Sequence, residues 1–196
     1  KWIKTRVFST AIEFYYFNKM LQVPILLLST ICKKKISNFI DYFLSIKSNK
    51  SYPTISYTNQ IIYDHAESIT NCGAEFIHSK DFLNIYWPPG EFVMLKLIDK
   101  DLINSFYSES ENLLKKLIDN DSLNLFIEDC VQFNLKTLKK PMKFKNEEII
   151  LNHNIPKIYE KAKLGKTIKI SNQKIKFTIL SASQEKYDFN KWAQKV

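Results

Sequence analysis

Phe14-Tyr15-Tyr16-Phe17-Asn18-Lys19-Met20-Leu21-Gln22-Val23-Pro24 is the stretch whose reading decides the fold. Val7, Ala11, Phe14, Tyr15, Phe17 and Leu21 recur at three and four residues, the period of one helix face, and predict a helix over 5–21. Pro24 fits the first turn of a second helix, where its missing N–H is harmless, and that helix runs to about Cys32. Phe14, Tyr15, Tyr16 and Phe17 point around the first helix and cannot all be covered by one neighbour. An exposed aromatic face is therefore expected there.

Working outward, Ser37 reads as the N-cap of a third helix carrying Ile40, Phe43 and Leu44 on one face. Residues 45–60 are rich in Ser, Asn, Lys and Thr around Pro53 and read as a connection. Residues 61–71 are amphipathic, with Gly73 placed as a helix C-cap glycine. Leu83–Trp87 and Phe92–Ile98 suit a hairpin turning at Pro88-Pro89-Gly90, although the second apolar run also suits a helix. Helices over 102–118, with a break near Ser108, and over 122–138 follow. Then come a strand at 148–151, a helix over 156–164 stopped by Gly165, a hairpin of 167–170 with 174–180, and a helical tail from Asp188. The sum is an α+β fold, predominantly helical with two short β-hairpins. A helix-rich lobe over 1–142 carries the first hairpin, and a small strand-helix-hairpin-helix lobe spans 143–196, the two forming one compact unit. With Lys1 at its start and Val196 inside an apparent helix, the sequence is expected to be a piece of a longer chain.

Composition narrows the function classes. The chain carries 29 basic and 20 acidic residues, a net charge of +9, yet Arg6 is its only arginine. Bidentate recognition of guanine edges and phosphates relies on the guanidinium fork, which lysine cannot reproduce. The charge reads as background on a solvated surface and nucleic acid as an unfavoured partner, with a basic module for nucleic acid or an acidic partner kept as the alternative. Cys32, Cys72 and Cys130 are odd in number and dispersed, which argues against a disulfide framework and for a cytoplasmic setting. The apolar run Val23–Cys32 is too short for a membrane span, which needs about 20 residues.

No catalytic motif, metal-ligand cluster or phosphate loop stands out, so no residue is assigned as catalytic or metal-binding. Asp64, His65, Glu67 and His78 are the main concentration of ligand-type side chains, but their spacing does not produce an HExxH-like face. His153 ends a predicted strand and reads as a polar turn residue, and Glu128-Asp129 as part of a solvated helix face. Tyr86 and Trp87, beside two prolines, suit an aromatic platform or a packed turn. Tyr86, Trp87, His65 and His78 are the candidate substrate or interdomain contacts.

A longer-range order accompanies these elements: Glu13-Phe14-Tyr15-Tyr16-Phe17-Asn18-Lys19, then Leu21-Gln22-Val23-Pro24-Ile25-Leu26-Leu27-Leu28, then Leu83–Pro88 with Glu91 and Leu95-Lys96-Leu97. Phe133-Asn134, Leu138-Lys139-Lys140-Pro141 and the terminal Trp192–Val196 complete it. In that order the chain resembles the C-terminal region of cobalamin-binding radical S-adenosylmethionine proteins, notably cyanobacterial ones. The resemblance implies a parent with a cobalamin-binding domain and a radical core, whose CxxxCxxC loop holds a 4Fe–4S cluster on which S-adenosylmethionine is cleaved. Such a parent methylates or rearranges an unactivated carbon. Neither motif is in this sequence, so the resemblance implies a C-terminal accessory domain with no cofactor of its own, its partner being the radical core of the same parent chain.

Overall fold

The aromatic stretch does not continue one helix to Leu21. Trp2–Ile12 form α1, which widens into a π-helical turn over Glu13–Phe17, where the Asn18 N–H bonds the Glu13 carbonyl five residues back. One extra residue in the turn changes the phase of the faces. Phe14 and Tyr15 are fully buried, Tyr16 is half-buried and Phe17 is 63% exposed, so the expected aromatic face is reduced to Phe17 and part of Tyr16. Phe14 meets Tyr15 and Phe106 edge-on, and Tyr15 lies 5.0 Å from Phe43, the ring geometries that aromatic quadrupoles favour. Lys19, in the left-handed region at φ +64°, reverses the chain into α2, Gln22–Cys32, with Pro24 in its first turn.

The computed structural model describes residues 1–138 and 147–179. Helix α3 spans Ile36–Leu44 and starts ahead of Ser37, because the Asn38 side chain reaches back to accept from the Lys35 N–H at 3.0 Å. Helix α4 spans Pro53–Thr70, so much of the expected connection over 45–60 is helix. Its Thr54, Thr58 and Asn59 face inward, and Asn59 donates to the Phe43 and Ile46 carbonyls while accepting from the Tyr15 hydroxyl at 2.9 Å. A polar residue can sit in a core when its hydrogen bonds are made there. After α4, Cys72 takes the left-handed conformation; a Cβ on Gly73 would lie 2.7 Å from the Ser68 carbonyl oxygen, so glycine is required for close approach.

Both expected hairpins are corrected in their partners. Strand β2, Ile85–Trp87, pairs antiparallel with β1, Ile77–Ser79, upstream of it, with His78 opposite Tyr86. Pro89–Asp99 form helix α5, Pro88 and Pro89 supplying the fixed φ of its entry. Helix α6, Ile103–Ile118, runs unbroken past Ser108. A short 3-10 turn, Asp121–Leu123, leads into α7, Asn124–Thr137. Strand β3, Glu147–Leu151, and helix α8, Ile155–Lys163, follow the reading, and Gly165 at φ +64° lies just past the end of α8. β3 pairs antiparallel with β4, Ile175–Ile179, so 167–170 is not the partner strand. The tail from Asp188 and the lobe boundary after residue 142 lie outside the described residues. Among the described residues no helix is long and apolar enough to cross a membrane.

Val7, Phe14, Ile25, Phe106, Ile127, Ile149 and Ile158 belong to a single apolar core, to which α1, α2, α6, α7, β3 and α8 all contribute. Three polar ties fix the helices around it. Glu109 of α6 accepts from the Thr54 and Ile55 N–H groups at 2.9 and 2.8 Å, closing the open first turn of α4. Tyr159 of α8 donates to Gln22 Oε1. Asn134 of α7 accepts from the Val23 N–H at 2.9 Å, and its Nδ2 lies 2.8–2.9 Å from the carbonyls of Lys19 and Met20 and the Tyr107 hydroxyl. Asn134→Ala strands buried groups of three elements at once. Urea denaturation is expected to show a loss of about 3 kcal/mol, and Asn134→Asp, which cannot donate to the two carbonyls, is expected to lose a similar amount.

Candidate functional site

The four contact residues read from the sequence fall on or beside the β1–β2 hairpin, but they do different things. Trp87 is buried, donates from Nε1 to the Phe82 carbonyl at 3.0 Å, and packs with Phe82 and Leu95 in a small satellite core. His65, on α4, is buried and donates from Nε2 to the Glu75 carbonyl at 3.1 Å, pinning the chain as it enters β1. Burial lowers the His65 pKa, the Glu75 acceptor opposes that shift, and nearby Arg6 adds to it, leaving a neutral imidazole at pH 7. His78 and Tyr86 are instead presented outward, cross-strand neighbours with ring centroids 4.9 Å apart. Phe76 and Ile85 are exposed on the same hairpin. The platform is thus Tyr86 with His78, not Tyr86 with Trp87.

A second arrangement has no signal in the sequence. Glu13 from the π turn and Asn18 from its end lie against the first turn of α5: an added Cβ on Gly90 would be 2.9 Å from Asn18 Nδ2 and 3.2 Å from Glu13 Cδ. Only glycine leaves room for this approach. Arg6, two helical turns before Glu13, stands within electrostatic reach of both Glu13 and His65, and Glu91 of α5 within reach of Glu13. Burial first, and repulsion by Glu91 second, push the Glu13 carboxyl above the usual range, with Arg6 opposing them. Arg6, Glu13, Asn18 and Glu91 are all half-buried.

Asp129 and His153, read as a solvated face and a turn, are brought together in the interior. His153 Nδ1 is 2.7 Å from Asp129 Oδ2, which also accepts from the Asn152 N–H at 2.8 Å, and both side chains are buried. Phe126 closes the ring edge-on. This carboxylate orients a histidine as in a catalytic dyad, and it also fastens the β3–α8 turn to α7. Cys130, beside it, is buried; desolvation and then Asp129 raise its thiol pKa, so it stays an unreactive thiol.

The three cysteines sit on different elements: Cys32 ends α2, Cys72 is exposed after α4, and Cys130 is inside α7. Among the described residues no three His, Cys, Asp or Glu side chains gather as a metal site. The chain matches no protein-family model, no curated protein and no solved structure.

Two outcomes are expected. Trp87→Ala should lower stability by about 3 kcal/mol, while Tyr86→Ala should stay within about 0.5 kcal/mol, as read from denaturation midpoints. Because the folded protein raises the Glu13 pKa, that group's contribution is fully present below the ordinary carboxyl value of 4.5 and lost as pH rises through the folded value. Glu13→Gln should therefore be at least as stable as the parent at pH 7, and that difference should shrink on acidification towards pH 4.5, as followed by melting temperature against pH.

Proposed function

We propose that this chain is an accessory domain, substrate-side or core-covering, of a cobalamin-dependent radical S-adenosylmethionine enzyme, with no catalysis of its own. One observation carries the reading: the separate segments that bear the resemblance meet in space. Glu13 and Asn18 of the first lie against Gly90, between Pro88 and Glu91 of the third, and Asn134 of a later one bonds Lys19 of the first and Val23 of the second. Residues shared for independent reasons need not lock one another; residues that build one framework do.

Exposed apolar and aromatic side chains support an accessory role. Phe17 and Tyr86 are each 63% exposed, and Phe76 and Ile85 add apolar surface on the hairpin. A radical intermediate must be kept from water and stray hydrogen donors, which gives a covering domain its physical purpose. The cobalamin, cluster and S-adenosylmethionine belong to the parent's core, and no step is assigned to residues of this chain. Many lysines are used internally, with Lys47, Lys100, Lys116 and Lys163 lying 4.6–5.2 Å from the ring centroids of Tyr63, Tyr57, Tyr52 and Tyr159. That accounts for part of the basic surface without a nucleic-acid partner.

The test is the reading frame preceding Lys1 together with the isolated chain. The frame is expected to encode a CxxxCxxC loop, and the chain alone, after anaerobic reconstitution, is expected to hold no iron and no brown absorbance. A frame lacking the loop, or a stoichiometric cluster on the chain itself, overturns the proposal.

A further inference from the structure

The positive charge is not spread evenly along the chain. Residues 157–176 hold seven lysines against one acid, Glu160, a surplus of six out of the chain's nine. All seven lysines are exposed. Lys163 is paired with Glu160 at 2.6 Å and Lys176 with Glu148 at 2.8 Å, whereas Lys157, Lys161, Lys166, Lys169 and Lys174 make no ion pair among the described residues.

The fold gathers these five positions into one strip. Helix α8 buries Ile155, Ile158 and Ala162. With about 3.6 residues per turn, Lys157, Lys161 and Leu164 fall on the opposite face, and Leu164, the C-cap, is 67% exposed. Beyond it the Lys166 N–H donates to the Lys161 carbonyl at 3.0 Å, and the Gln173 N–H donates at 2.7 Å to the carbonyl of Asn152, just before the helix. The segment 166–173 thus leaves one end of α8 and returns to the other, and Ile168 anchors it on the main core. Ile170 is part-exposed on that segment, between Lys169 and Lys174.

The chemistry narrows the partner. Lysine is a compact, hydrated point charge that attracts anions without a fixed geometry, whereas nucleic-acid readout leans on the guanidinium fork, and Arg6 is the only arginine. A lone exposed leucine is ordinary on a protein surface. On the same helix face as two unpaired lysines, Leu164 gains a use when the anionic partner also offers hydrocarbon. A bilayer containing anionic lipid does so: its headgroups attract the lysines and its acyl boundary takes the apolar side chain.

We propose that α8 and the loop after it form a peripheral docking face for an anionic phospholipid surface, the five unpaired lysines lying among the headgroups and Leu164 entering beneath them. Such docking needs no membrane-spanning helix, and it does not rest on the accessory-domain reading.

The experiment is co-sedimentation of the full chain at pH 7 with vesicles of phosphatidylcholine alone and of equal parts phosphatidylcholine and phosphatidylserine. Binding is expected to the mixed vesicles only, and to fall several-fold as salt rises. Lys157→Glu with Lys161→Glu is expected to weaken it by roughly tenfold or more, and Leu164→Asn by several-fold. Lys50→Glu with Lys80→Glu, the same charge change at exposed positions elsewhere, is expected to keep most of the binding. Circular dichroism matching the parent confirms that the variants fold. No binding to the mixed vesicles, or equal binding to both kinds, overturns the proposal. Equal losses in the two double variants would show net charge at work rather than this face, and would overturn it too. So would an unchanged affinity in Leu164→Asn, or tighter binding to an RNA oligonucleotide or to polyglutamate than to the mixed vesicles.

Discussion

One side-chain amide holds the corner on which the fold turns. The π turn and α2 meet at Asn18–Leu21, a reversal that leaves main-chain carbonyls at one helix end and N–H groups at the start of the next. Nothing local caps the start of α2. Asn134 supplies both an acceptor and donors from α7, and the Tyr107 hydroxyl of α6 completes the knot. With that corner fixed, Glu13 and Asn18 are delivered to Gly90, and Phe14 and Tyr15 to the core between Phe43 and Phe106.

Asparagine is suited to this task because it donates and accepts through one rigid group. A carboxylate would face two carbonyls with no proton to offer, and a hydroxyl is too short to span the corner. The same logic recurs at smaller scale in Asn59, which joins α3, α4 and the π turn, and in Glu109, whose two oxygens close α4. Buried polar groups here set the positions of helices that apolar packing alone would leave free to slide.

How much of this could be read in advance depends on range. Helix α2 from its early proline, α8 with its Gly165 stop, and the strand at Ile85–Trp87 are local patterns, and they were legible. Strand partners were not: Ile77-His78-Ser79 is too short and too polar to show an alternating pattern, and β3 pairs with β4 across all of α8. The first half of α4 was hidden because Thr54, Thr58 and Asn59 look like loop residues until their interior placement is known. For the site, Tyr86 and His78 were among the residues the sequence singled out, but not their pairing across the hairpin, whereas the meeting of Arg6, Glu13, Asn18 and Gly90, or of Asp129 with His153, exists only once α1, α5, α7 and β3 have been placed.

The knot at Asn134 also dictates a schedule. The bond from the Val23 N–H spans 111 residues of chain, and at about 5–20 residues per second of synthesis the first helices wait roughly 6–22 s for their clamp to be made. During that interval the corner at Asn18–Leu21 has solvent as its hydrogen-bonding partner, and Phe14 and Tyr15 lack the Phe106 wall. A nascent chain in this state leaves part of this aromatic surface open until α6 is made. Slower translation of α3 to α6 would lengthen that window.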